Sequence, residues 1–201
     1  MLNITLRNRA TAVLNDFIIT NNISGKFLLP ANICPIVPLV FIKNNIKVKF
    51  IDISKKNFDM DKSLIFENLE KFDGLLWNNS YGKEDNNSNF FLKCKKNKKN
   101  FFIIDDRCLN EPNLSLKRQI NSDLEIYSTG YSKYCDLGHG GYGLSPKKIS
   151  YFPNSYNKFS YEYIIKKFYS SIKNKNIFYS KKENWLENKN NINSLEYFKK
   201  I

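Results

Sequence analysis

The feature that most constrains the fold is a regular alternation of short apolar runs with stretches of helical spacing. Strongly apolar runs end at Pro30, at Trp77, at Asp105-Asp106 and at Ser128. Between the earlier runs, apolar residues recur three or four positions apart, as they do on one face of a helix. Strands that alternate with helices are joined by right-handed crossovers and therefore run parallel. The sequence predicts an α/β fold with a mostly parallel sheet sandwiched by helices.

The predicted elements fill the first 146 residues, which we assign to one α/β domain. Asp61 is the predicted N-cap of one of its helices, because its carboxylate can accept hydrogen bonds from the first-turn amides. Residues 147–201 form a helical C-terminal segment in this prediction, with helices over 155–176 and 181–201. The other predicted helices cover residues 6–20, 35–42 and 61–71, and the predicted strands cover 27–29, 47–53, 74–77, 101–104 and 124–127.

The net charge of +13 has a compositional explanation. The chain has 28 Lys but 4 Arg, together with 29 Asn and 3 Ala, which is the bias that an AT-rich coding sequence imposes on any protein. A surface that reads phosphates or bases is expected to use more Arg, because the guanidinium pairs bidentately with both. We therefore expect no specific nucleic-acid partner. A basic nucleic-acid-binding domain is kept as a hypothesis, but it is less favoured than the two given below.

Neither a membrane span nor a metal site is expected from the sequence. The longest apolar stretch, residues 33–42, contains two prolines and is too short to cross a bilayer. The first ten residues lack the pattern of a signal peptide, so a cytoplasmic location is expected. The four cysteines show no metal-ligand spacing, and scattered thiols are typical of a reducing compartment.

The segment from Ser128 to Gly143 carries the strongest indication of chemistry. Three of its glycines match the dinucleotide-binding pattern GxGxxG, but that pattern must follow a strand and open a helix. Here a polar loop with Lys133 precedes the glycines and a proline follows them. A different cofactor, pyridoxal phosphate, needs an amine, donors for its phosphate and a carboxylate at its pyridine nitrogen. Lys133, Ser128 and Asp106 are the candidates for these three functions.

The stretch from about Phe27 to Ser145 resembles the large domain of the DegT/StrS-type aminotransferases, which are fold-type-I pyridoxal-phosphate enzymes. The resemblance rests on six segments that occur in the order found in the family. These are LLPANICPIV at 28–37, NNIKVKFIDISKKNFDMD at 44–61, WNNSYGKEDN at 77–86, FIIDDRC at 102–108, IYSTGYSK at 126–133 and DLGHGGYG at 136–143.

The resemblance implies a function for four residues. Lys133 would be the Schiff-base lysine, Asp106 rather than Asp105 would contact the pyridine nitrogen, Ser128 would bind the phosphate, and Cys108 would be the small residue beneath the ring. The family transfers an amino group from an amino-acid donor, here expected to be glutamate, to a nucleotide-linked keto-sugar for surface polysaccharides. The resemblance also implies a homodimer.

Several positions depart from the family pattern and leave a second hypothesis open. The glycine-threonine phosphate turn is expected around Asn8-Arg9, where neither residue occurs, and Cys34 stands where an aromatic residue stacks on the cofactor. Leu109 replaces a polar residue, and 68 residues follow Lys133, fewer than a complete small domain needs. The alternative is therefore a non-enzymatic interaction subunit with the same fold.

Overall fold

The computed structural model describes residues 1–79, 87–152 and residue 199, and within them it contains a seven-stranded sheet flanked by helices. The strands are β1 (Asn3–Arg7), β2 (Lys26–Pro30), β3 (Lys47–Ile51), β4 (Gly74–Asn78), β5 (Phe102–Asp106), β6 (Leu124–Ser128) and β7 (Gly141–Ser145). The helices are α1 (Ala10–Thr20), α2 (Ile36–Lys43), α3 (Lys62–Asn68), which continues as a 3₁₀ turn over Leu69–Lys71, and α4 (Ser88–Asn97).

The strand order is β1-β7-β6-β5-β4-β2-β3, and the five strands from β2 to β6 are parallel. Strand β7 is antiparallel to both of its neighbours, β6 and β1. Strand β1 therefore runs in the same direction as the central strands, and its carboxyl end lies at the same edge of the sheet as theirs. The predicted α/β class and mostly parallel sheet are confirmed.

Helices cover both faces of the sheet because residues on each central strand alternate between two apolar clusters. Phe27 and Leu29 of β2 pack with α1 and α2, whereas Leu28 between them packs with α3 and α4. This alternation follows from the pleat, which directs successive side chains to opposite faces. Burial on both faces explains why these strands are continuously apolar in sequence.

The predicted helix over residues 6–20 is wrong at its start. Residues 3–7 form β1, in which Ile4 and Leu6 pack on Tyr142 and Leu144 of β7. The period-two alternation of β1 is short, and it merges with the helical spacing that begins at Ala10. Strand β7 was also not predicted, because two of its five residues are glycines, which disfavour strands.

Asp61 caps α3 as predicted, and its carboxylate accepts hydrogen bonds from the amides of Ser63 and Leu64. The two helices predicted at 155–176 and 181–201 fall almost entirely outside the described residues, so they and the domain boundary at 146/147 stay predictions. None of the helices in the described part of the chain is both long and apolar enough to cross a membrane.

Gly141 allows β7 to pass against the start of α1. A Cβ atom at this position would lie 2.3 Å from the backbone nitrogen of Ala10 and 2.6 Å from its Cα. We expect Gly141→Ala to destabilise the fold by about 2–3 kcal/mol, because backbone on both sides must shift. Urea unfolding measures this change.

Gly130→Ala is the matched control, because its nearest neighbour would be the Ser128 hydroxyl at 3.6 Å, an ordinary contact. Its free energy of unfolding should change by less than about 1 kcal/mol. Equal losses in the two variants would contradict the packing described for Gly141.

Candidate functional site

A cavity of about 940 Å³ lies at the carboxyl-end edge of the sheet. The carboxyl ends of β1, β2, β4, β5 and β6, or the segments that follow them, all contribute to its wall, since the parallel direction of these strands brings their ends together. In open α/β sheets this edge is where ligands bind. The polar and chemically reactive residues of the wall include Arg9, Thr11, Asn32, Cys34, Asn78, Asp106, Cys108, Ser128, Lys133 and His139.

Lys133, Asp106, Ser128 and Cys108, the four residues proposed from the sequence, all line this cavity. Ser128 is the last residue of β6, and Asp106 is the last residue of the neighbouring strand β5. Lys133 lies in the loop after β6 and is less exposed than the residues on either side of it. The structure thus brings an amine, a carboxyl group and a hydroxyl group to one cavity.

Asp106 is a buried carboxyl group at the cavity wall, with 7% of the residue exposed. Burial raises its pKa, while a hydrogen bond from the Cys108 amide at 3.0 Å and the positive charge of Lys133 lower it. A buried carboxylate is costly unless a donor or a cation compensates its charge. The site is therefore suited to a ligand that presents a positively charged N–H group to Asp106.

Asp105 lies on the opposite face of the sheet from Asp106. Its carboxylate accepts hydrogen bonds from Asn79 and, at 2.8 Å, from Arg107. Burial raises the pKa of Asp105 to about 6 in spite of the nearby guanidinium. The pleat of β5 therefore distinguishes the two adjacent aspartates, and only Asp106 reaches the cavity.

Cys108 follows β5 and contributes both its amide and its thiol to the site. The thiol lies 3.9 Å from the carbonyl oxygen of Ile126, to which it donates. Burial raises the pKa of Cys108 well above its ordinary value, and the charge of Asp106 raises it further. The thiol is therefore protonated and a poor nucleophile at neutral pH.

Thr11 is a cavity residue that the sequence analysis missed. It is buried in the first turn of α1 and lines the cavity with Ser128. The N-cap residue of α1, Arg9, provides no side-chain cap for the first-turn amides. The resemblance places the glycine-threonine turn around Asn8-Arg9, whereas the threonine at the cavity is Thr11, inside the first turn of a helix that begins at Ala10.

The residues that depart from the family pattern are also found at the cavity. Cys34, which follows β2, and Leu109, which follows β5, both line it. Their side chains differ chemically from the residues that the resemblance leads us to expect there. His139 makes a local contact, since its carbonyl oxygen accepts a hydrogen bond from the Thr129 hydroxyl at 2.7 Å.

The chain has the fold of the large domain of fold-type-I pyridoxal-phosphate-dependent aminotransferases. A DegT/DnrJ/EryC1/StrS aminotransferase from Brucella abortus matches it with a TM-score of 0.61 and 13% identity, over 72% of this chain and 42% of that one. A Bacillus subtilis protein with bound pyridoxamine phosphate matches with a TM-score of 0.62 and 16% identity, over 72% of this chain and 33% of that one. GDP-4-keto-6-deoxymannose-3-dehydratase with bound GDP-perosamine matches with a TM-score of 0.60 and 15% identity, over 72% of this chain and 40% of that one.

The structural neighbours are therefore sugar aminotransferases of the DegT/DnrJ/EryC1/StrS type and related pyridoxal-phosphate enzymes. The chain spans about two fifths of the length of most of them. No protein-family model matches the sequence, and no curated protein matches it either.

The raised pKa of Asp105 predicts a pH dependence of stability. Because this pKa of about 6 exceeds the ordinary value of 3.8, the folded protein keeps a proton that the unfolded chain loses. This contribution to stability is greatest at a pH below the ordinary pKa of 3.8, and it is lost as the pH rises through the folded-state pKa of about 6. We expect a slope of up to about 1.4 kcal/mol per pH unit in this range.

Urea unfolding of the wild type and of Asp105→Asn between pH 4 and pH 7 measures this slope. The neutral amide removes the titrating group, so the difference in unfolding free energy between the two proteins should change across that range. Parallel pH profiles of the two proteins would contradict the assignment.

Proposed function

We propose that the protein is a pyridoxal-phosphate-dependent aminotransferase of the sugar-modifying type. The convergence of Lys133, Asp106 and Ser128 on one cavity at the carboxyl ends of parallel strands is the observation that carries the proposal. The similarity in fold to aminotransferases of this type supports it. Each of the three residues supplies one of the functional groups that this cofactor requires.

The polar groups of the cavity fit the cofactor at both of its ends. Asp106, buried and in need of a compensating positive charge, would hold the protonated pyridine nitrogen. Ser128, Thr11 and the first-turn amides of α1 would hold the phosphate, since a helix N-terminus favours anions. Cys108, which lines the cavity beside Asp106, would lie against the ring. Lys133 would hold the carbonyl carbon of the cofactor.

When it is bound, pyridoxal phosphate supplies an electron sink for the carbanion formed next to the amino nitrogen. Lys133 would provide the amine that bonds the cofactor. Once the amino donor displaces it, its free amine would act as the general base that takes the proton from the α-carbon of the donor. Asp106 would stabilise the positive charge on the ring nitrogen. The apolar side chains of Leu14, Leu76 and Ile126 reduce the access of water to the inner wall of the cavity.

The cavity leaves room for a second ligand beside the cofactor. Its volume of about 940 Å³ lies near the upper end of the range of about 300–1,000 Å³ found for ligand sites. We propose that glutamate donates the amino group and that a nucleotide-linked keto-sugar accepts it, in the synthesis of a surface polysaccharide. GDP-perosamine bound to a neighbour of the same fold supports this acceptor class. We also propose a homodimer that works in the cytoplasm.

Visible absorption spectroscopy tests the bond between the cofactor and Lys133. The wild type mixed with one equivalent of pyridoxal phosphate should develop the visible band of a lysine-bound cofactor, and Lys133→Ala should not. Lys148→Ala is the matched control, because this exposed lysine lies outside the cavity, and it should keep the band. No band in the wild type would refute the proposed cofactor.

Turnover is tested on the same sample with glutamate. The visible band should disappear and 2-oxoglutarate should be released in an amount equal to the bound cofactor. A protein that binds the cofactor but does not react with glutamate or other amino acids would instead be the non-enzymatic subunit.

The phosphate site predicts a difference between two forms of the cofactor. Ser128→Ala and Thr11→Val should each raise the dissociation constant of pyridoxal phosphate by about tenfold, because each removes a hydrogen bond to a charged group. The dissociation constant of pyridoxal, which lacks the phosphate, should change by less than about twofold. Equal effects on both compounds, measured by titration of the visible band, would place the phosphate elsewhere.

A further inference from the structure

The loop that carries Lys133 is held by a carboxylate that the proposed reaction does not use. Asp136 Oδ2 accepts a hydrogen bond from the amide of Ser132 at 2.9 Å, and Asp136 Oδ1 accepts one from the amide of Gly138 at 2.8 Å. These two amides lie on opposite sides of Lys133 along the chain. One carboxylate thus closes the tip of the loop around the lysine.

The backbone beside Lys133 needs this support. Ser132 has a φ of +60°, in the left-handed region that residues with a Cβ atom seldom adopt, and Gly138 has a φ of +74°. A non-glycine residue held in this region costs of order 1–3 kcal/mol and persists only where its surroundings fix it. The hydrogen bond from Ser132 to Asp136 is an interaction that stabilises this conformation directly before the lysine.

The base of the loop is closed by separate interactions. The amide of Thr129 donates a hydrogen bond to the carbonyl oxygen of Gly140 at 3.2 Å. The carbonyl oxygen of Thr129 accepts one from the amide of Leu137 at 2.9 Å. Gly140 in turn donates its amide to the carbonyl oxygen of Asn8 at 2.8 Å. Loss of the Asp136 carboxylate therefore leaves these hydrogen bonds at the base of the loop in place.

We propose that Asp136 is a positioning residue, which acts by holding the backbone of Lys133 so that its amine reaches the ring end of the cavity near Asp106. The proposal rests on the proposed function, because it assigns Lys133 to the bond with the cofactor. Asp136 itself is exposed and is not among the residues that line the cavity. We therefore expect its main effect on ligands that bond to the lysine.

Two ligands that differ only at the reacting carbon separate this role from a general structural one. Pyridoxal phosphate bonds to Lys133, whereas pyridoxamine phosphate has the same ring and phosphate but cannot form that bond. In Asp136→Ala the dissociation constant of pyridoxal phosphate should rise by about tenfold, because two hydrogen bonds to a charged acceptor are lost. That of pyridoxamine phosphate should change by less than about twofold. Asp136→Asn keeps one acceptor oxygen, so its dissociation constant for pyridoxal phosphate should lie between those of the wild type and the alanine variant.

Asp61→Ala is the matched control, because Asp61 is a half-buried carboxylate that also accepts two backbone amides, at the start of α3. It should lower the thermal midpoint of unfolding without changing either dissociation constant. The role of Asp136 would be overturned if Asp136→Ala weakened the binding of both ligands equally, or if it left the binding of pyridoxal phosphate unchanged. If the wild type itself forms no bond between the cofactor and Lys133, the proposed function fails, and the role of Asp136 fails with it.

Discussion

The backbone contact between β7 and the start of α1 is the interaction on which the site depends. Gly141 comes so close to Ala10 that no side chain fits between them, and the amide of Gly140 donates to the carbonyl oxygen of Asn8. This contact joins parts of the chain that are 131 and 132 positions apart in sequence. It brings Thr11 to the same cavity as Ser128 and fixes the end of the loop that carries Lys133.

The electrostatics of the site follow from the pleat of a single strand. Asp105 and Asp106 are adjacent, and burial raises the pKa of both, but their side chains lie on opposite faces of β5. Asp105 has a protein partner in Arg107, which gives it a structural role. Asp106 has the Cys108 amide and the charge of Lys133, and it remains directed to the cavity. One carboxyl group thus pairs with a guanidinium of the protein and the other is available to a ligand.

The sequence predicts those parts of the site that depend on local pattern. Apolar runs that stop at Asp106 and Ser128 reveal strand ends, and parallel strands bring such ends to one edge. Strand β7 could not be predicted, because two of its residues are glycines and it forms through close packing against α1 and β6. Thr11 was also not predicted, because the resemblance places the phosphate turn around Asn8-Arg9, ahead of the helix that begins at Ala10. No sequence pattern marks Asp136, because its role depends on how the loop folds back on itself.

Peptide mapping after borohydride reduction tests the assignment of Lys133 most directly. Reduction makes the bond between the cofactor and an amine permanent, and mass spectrometry then identifies the labelled residue among the 28 lysines of the chain. With one equivalent of pyridoxal phosphate, the label should be found on the peptide that contains Lys133. Label on another lysine, or spread over many surface lysines, would contradict a site built from Lys133, Asp106 and Ser128.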